Sequence, residues 1–356
     1  MDVKTQVALI GVASALVTIL IKDVALHFWK EAHSDKKTAK AVYRSYSDPM
    51  LSAAVSLFWR LRETLTDTGR GAYLKTSGFE SQFDKYKFES TIYRLAALVG
   101  WVRAYRRELT FLSLSGDEEL SQLTAALSLL EGALADGAHV ETQRVKSASQ
   151  LWDIPLPEEN KDLSRIAVKV EQIIKSVGST SSGDQDLLIN LDEAAQVALC
   201  QSIANYLCDE ANIDHLPSEV ISETRARAVS SLSIREAWLY RDFQSGIGDM
   251  MIREISGASR RFEVLGFREF EALLHSDEEE TQRWMSRLVR VFDRLDISGA
   301  DRFDARVQML ERTFLATIDL LVALTEIDKG RSTYTSNSVQ EAKKLKADQS
   351  WRKVSE

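Results

Sequence analysis

Hydrophobic positions fall into two regimes along this chain. Val7–Ile21 is an unbroken run of fifteen uncharged residues, Val-Ala-Leu-Ile-Gly-Val-Ala-Ser-Ala-Leu-Val-Thr-Ile-Leu-Ile. Beyond about residue 45, apolar residues instead return every three or four positions between charged ones. That is the period of helices that bury one face.

A bilayer-crossing helix takes roughly 20 apolar residues. Val7–Ile21, lengthened by Thr5 and closed by a snorkelling Lys22, predicts a short span. A deeper span would place Trp29 at the interface but would bury Lys22, Asp23 and His27, which is costly. A cleaved signal peptide fits less well, because Met-Asp-Val-Lys-Thr-Gln is nearly neutral and no Ala-x-Ala follows. The remaining alternative is a buried helix of a soluble body. Only Lys4 precedes the run, whereas Lys22, Lys30, Lys36, Lys37, Lys40 and Arg44 follow it. The positive-inside bias therefore predicts a single-pass protein of the cell inner membrane, N-terminus outside and the remainder cytoplasmic. Gly11 and Ala15 form a small-xxx-small pair that permits helix packing, and so self-association, within the bilayer.

The helical pattern begins at Asp48-Pro49, a cap followed by a residue suited to the first turn. Leu51, Ala54, Phe58, Leu61 and Leu65 make its stripe. An aromatic connection over 69–88, expected to pack down on the body, leads to a second helix from Ser90. Ser115-Gly-Asp-Glu118 is a capping box for a third helix through Leu134. Pro155 and Pro157 interrupt the pattern, and Lys161–Val177 and Asp192–Cys208 restore it. Pro217, Ser233-Ile-Arg-Glu236 and Ser276-Asp-Glu-Glu279 open further helices, with 258–275 also read as helical. The stripe Val307, Leu310, Phe314, Thr317, Leu321 and Leu324 is the cleanest, and Asp319 marks it as a core helix, not a second span. The expected organisation is an N-terminus and transmembrane helix over 1–29, and a basic juxtamembrane linker over 30–45. Two helical subdomains follow over 46–150 and 151–330, then a disordered basic tail over 331–356. The expected fold class is all-α: one transmembrane helix and an elongated multi-helix bundle.

Within this pattern, Tyr46-Ser-Asp-Pro-Met-Leu-Ser-Ala-Ala, Trp59-Arg-Leu-Arg62, Ser90-Thr-Ile-Tyr-Arg-Leu, Gly100-Trp-Val102 and Tyr105-Arg-Arg-Glu-Leu-Thr-Phe-Leu resemble a group of uncharacterised, membrane-anchored helical proteins of bacteria. The likeness covers about residues 43–115. It implies a bacterial source and carries over no activity or site residue.

Composition narrows the function. The chain of 356 residues is 44% hydrophobic and 28% charged, which is globular and not disordered. A net charge of −8 argues against nucleic acid as a partner, because phosphate binding needs a concentrated basic surface. Two cysteines, Cys200 and Cys208, are too few for a disulfide framework. No P-loop, dinucleotide fingerprint, zincin helix or nucleophile elbow occurs, so neither an enzyme nor a cofactor is expected. Cys208-Asp-Glu-Ala-Asn-Ile-Asp-His215 gathers thiol, carboxylates and imidazole, but it matches no zinc spacing and reads as a helix end. Arg60, Arg62, Arg94 and Arg103 lie on neighbouring helices and form a candidate patch for an anionic ligand or a partner. The expectation is thus a non-enzymatic, membrane-anchored interaction or scaffold module whose partners are the lipid bilayer and another protein or a second copy. The alternatives are a ligand-responsive membrane effector and, less well supported, an enzyme centred on Cys208–His215.

Overall fold

The computed structural model describes residues 38–66, 70–74, 79, 81–109, 118–135, 140–178, 188, 191–232, 238–256, 260–297, 305–328 and 336–352. The expected span Val7–Ile21, with Gly11 and Ala15, lies outside them. Among the described residues, no helix is long and apolar enough to cross a membrane.

Among the described residues, the protein is all-helical apart from one short ribbon. Helix α1 spans residues 38–65, and a 3-10 turn follows at Ala72–Leu74. Then come α2 (Gln82–Leu109), α3 (Glu118–Leu134), α4 (Val140–Trp152), α5 (Asn160–Gly178), α6 (Glu193–Ala211) and α7 (Ser218–Leu232). After α8 (Arg241–Met251), strands β1 (Ile252–Glu254) and β2 (Phe262–Val264) form an antiparallel pair. The chain continues as α9 (Phe267–Leu274), α10 (Glu279–Arg290), α11 (Ala305–Asp328) and α12 (Ser336–Ala347).

The start expected at Asp48-Pro49 is wrong. Helix α1 runs through Pro49, although a proline inside a helix costs about 3 kcal/mol. Ala39, Tyr43, Tyr46 and Met50 extend the buried stripe on its N-terminal side. Burying Met50, worth roughly 1.5–3 kcal/mol, together with the two tyrosine rings and the Ala39 methyl outweighs one lost hydrogen bond. Part of the expected linker over 30–45 is therefore helix. Similarly, α2 starts at Gln82 and not at Ser90. Ser81 caps it, its Oγ accepting the Asp84 backbone N–H at 3.1 Å. The helices expected from Ser233 and over 258–275 are also shorter than their patterns. Trp238 and Leu239 lie outside any helix, and residues 262–264 are strand. Ile252 faces Val264 in the ribbon, Arg253 faces Glu263, and Phe262 is buried against the helices.

Buried apolar residues form two clusters. The larger draws on α1–α3 and on α8–α12, with α3 packed along α11 and α2 along α8. The smaller is built from α4–α7 and their connections, with Val145, Trp152, Ile154, Ile166, Val170, Leu191, Leu199, Ile203 and Leu232 inside. Residues 140–232 thus form a helical unit set between α3 and α8, and the expected boundary at 150/151 falls within its core. Residues 238–324, expected to group with 151–232, pack instead with 39–134. The joints are tied. Leu239 N–H donates to the Leu134 carbonyl at 2.8 Å, and Gln244 Nε2 donates to the carbonyls of Glu131 and Leu239. The buried Arg144 guanidinium donates to the Leu232 carbonyl at 2.9 Å and meets Glu171 at 2.8 Å, joining the first and last helices of the unit.

The tail expected to be disordered carries α12. Its few apolar residues, Val339, Ala342 and Leu345, make too short a stripe to hold a helix alone. They are supported by contacts to α1 and α11. Trp59 Nε1 donates to Ser338 Oγ, Arg62 pairs with Glu341, Lys346 pairs with Asp319, and Trp351 stands edge-on to Phe314.

Two core tyrosines differ in a testable way. Tyr46 donates to Glu108 Oε2 and accepts the Phe262 N–H, each at 3.1 Å. The Tyr105 hydroxyl finds no partner among the described residues. Burial pushes both phenols up to about 12. The unfolded chain, whose phenols titrate near 10, then releases protons first. Stability is complete below that value and falls as pH rises from about 10 to about 12. Tyr46→Phe should cost about 1–3 kcal/mol at neutral pH, because the Phe262 N–H loses its acceptor. Tyr105→Phe should be nearly neutral there and should flatten the alkaline slope. Urea titrations at neutral and alkaline pH check both; equal neutral-pH costs for the two variants would refute the assignment.

Candidate functional site

The four candidate arginines do not form one patch. Arg60 is buried between α1 and α2, where it pairs with Glu63 at 3.3 Å and donates to Ser90 Oγ at 3.3 Å. Arg94, one turn beyond Ser90, is half-buried. Desolvation, with the nearby Arg60 charge, holds its guanidinium below the ordinary range. Arg62 turns the other way, to Glu341 and over the Trp59 ring. Arg103 lies further along α2 and forms a two-pronged pair with Asp249 at 2.9 and 2.8 Å, which raises its affinity for the proton. The structure brings only Arg60 and Arg94 together.

The Cys208–His215 segment is likewise dispersed. Cys208 is buried, and burial raises its thiol, so it is a poor nucleophile. The Cys200 thiol is pushed up to about 12 by the same cause. His215 is exposed and lies 2.8 Å from Asp209, beyond the left-handed cap Asn212. Among the described residues, no group of three or more His, Cys, Asp or Glu is placed to hold a metal ion.

Two features at the N-terminal end of α2 went unread in the sequence. The first is an aromatic surface. Phe83 is 66% exposed and Tyr86 47% exposed, with ring centroids 6.3 Å apart. Tyr86 stands edge-on to Phe267 of α9 at 5.9 Å, and Phe267 in turn meets Tyr93 at 5.4 Å. The expected packing of these aromatics onto the body holds for Phe88 and fails for Phe83 and Tyr86. Starting the helix at Gln82 carries them onto its outer face.

The second is a cleft of about 380 Å³ on the adjoining face of α2, closed by α9, α10 and the segment after α10. Glu89, 4% exposed, lies at its wall. Glu89 Oε1 is 2.8 Å from His275 Nε2 and 3.6 Å from Lys85 Nζ. His275 ends α9, and its backbone N–H donates to the Glu271 carbonyl at 3.1 Å. Gln282 Nε2 ties the same turn down through the Leu274 and Ser276 carbonyls. The buried Arg306 donates to the carbonyls of Arg290 and Asp293, closing the C-terminal end of α10 as a fixed cation does. Glu89 and His275 are 186 positions apart, so no local spacing announces them. The Ser81-x-x-Asp84 cap was the one readable signal, because it fixes where α2 begins.

No protein-family model matches the chain significantly, and neither a curated protein nor a solved structure does so.

Proposed function

We propose that this chain is a non-enzymatic, membrane-anchored helical module that presents an aromatic surface to a protein partner or a second copy of itself. In this reading Val7–Ile21 sits in the inner membrane, and the helical body is held on the cytoplasmic side. The observation that carries the proposal is the exposed cluster of Phe83 and Tyr86 against Phe267. Contiguous exposed aromatics are uncommon on isolated proteins and supply most of the binding energy at interfaces. Their position favours a protein over lipid. Tyr46, near the start of α1, packs against Trp101 and Tyr105 in the second half of α2. The aromatic surface is therefore roughly 30 Å along α2 from the end where the anchor joins, at 1.5 Å per residue.

The test is a photo-crosslinking amino acid placed at position 83 of the full chain in cells, followed by isolation of the membrane fraction. A discrete protein adduct is expected at position 83. None is expected at Val168, which is comparably exposed at 59% but stands alone on α5. Tyr86→Ser should diminish the adduct. Equal labelling from both positions, or none from position 83, would overturn the reading.

A further inference from the structure

The cleft between α2 and α10 has a composition that neither packing nor the aromatic surface explains. One wall is apolar and flat: Phe79 rests against Phe88 with ring centroids 5.2 Å apart, and Phe79 is 39% exposed. The back wall is a carboxylate. Glu89 engages His275 and Lys85 through Oε1 only, and Oε2 takes no hydrogen bond among the described residues. The lining is cationic on balance: Lys85, Arg290, Arg294 and the buried Arg306 line the cleft with the carboxylates of Glu89 and Asp293, on a chain whose net charge is −8. Arg294 is exposed and held in the left-handed region at φ 50°, with its Nε 3.2 Å from Asp293 Oδ2.

We propose that this cleft binds a nucleoside monophosphate. Its three surfaces match the three chemistries of such a ligand. A flat base stacks on Phe79, since base–aromatic stacking is sequence-tolerant and favourable. A ring or amino N–H of the base donates to Glu89 Oε2, which takes no hydrogen bond among the described residues. The phosphate meets the exposed Arg294 guanidinium, which suits planar recognition of its oxygens. A cleft of about 380 Å³ is of the size that encloses a small ligand. An inorganic anion would leave the aromatic wall and Glu89 unused, and an uncharged aromatic would leave the cations unused. Arg306 is committed to backbone carbonyls and serves as the floor. This inference stands independently of the anchor and of the protein partner.

Calorimetry on the full chain in detergent, with AMP, GMP, CMP, UMP, adenosine and inorganic phosphate, tests it. Sub-millimolar binding is expected for at least one nucleotide, with adenosine and phosphate each at least about tenfold weaker. Arg294→Glu and Phe79→Ala, both at exposed positions, should each weaken the nucleotide by about tenfold or more. Val168→Ser, on the other helical unit, should leave it unchanged. An 8-azido derivative of AMP should label peptides within 79–89 or 274–294. No binding at millimolar nucleotide, equal affinity for phosphate alone, unchanged affinity in both cleft variants, or labelling confined elsewhere would each overturn the proposal.

Discussion

Replacing Arg144 with Met should destabilise the unit of α4–α7 by about 3 kcal/mol, the largest single-residue effect expected in this protein. The side chain is 2% exposed and has two partners, the Leu232 carbonyl and Glu171. Methionine fills much of the same volume but leaves the Leu232 carbonyl without this donor and takes the close cation from Glu171, which keeps Lys175 at 3.9 Å. Hydrogen exchange should show lost protection in α4 and α7 while α2 and α8 retain theirs, because the second cluster is built separately from the first. Adding Glu171→Leu should recover part of the loss, as expected when a pair is removed together. A cost under about 1 kcal/mol would mean that water or relaxation replaces the guanidinium.

The second large effect lies where α2 crosses α8. A Cβ at Gly248 would stand 2.6 Å from Arg103 Cβ, and one at Gly100 would stand 2.9 Å from Met251 Cβ. A Cβ moves only with its backbone, so neither clash can be relieved without separating the helices. Gly248→Ala should therefore cost about 2–3 kcal/mol, at the upper end for overpacking. Gly246→Ala meets the Trp284 ring at 2.5 Å. Because that ring belongs to a side chain, Trp284→Leu should relieve part of the penalty, and the two changes should be less than additive. Thermal or urea unfolding of Gly248→Ala, Gly246→Ala, Trp284→Leu and the Gly246→Ala/Trp284→Leu double variant decides between the two cases. If Gly248→Ala proved neutral, the close approach of α2 and α8 would be wrong. At Gly246 and Gly248 the missing side chain serves close packing.

Where one helix carried its own signals, the sequence was sufficient. The α11 stripe from Val307 to Leu324 is buried at every expected position. Asp192 caps α6 as its side chain predicts, accepting the Ala195 N–H at 2.7 Å, and Asn212 ends that helix in the left-handed region. These outcomes depend on periodicity and on hydrogen bonds within a few residues, which a chain specifies locally. Tertiary contact decided the rest. Pro49 sits mid-helix because Ala39, Tyr43 and Tyr46 gain burial against distant segments. The tail is helical because α1 and α11 give Val339, Ala342 and Leu345 a surface to cover. Residues 140–232 form a separate core because the chain leaves and returns at one place, Leu134 beside Leu239. The cleft joins Glu89 to His275 across most of that path. Local spacing cannot encode such a meeting, because the burial that stabilises it exists only once the larger core has formed.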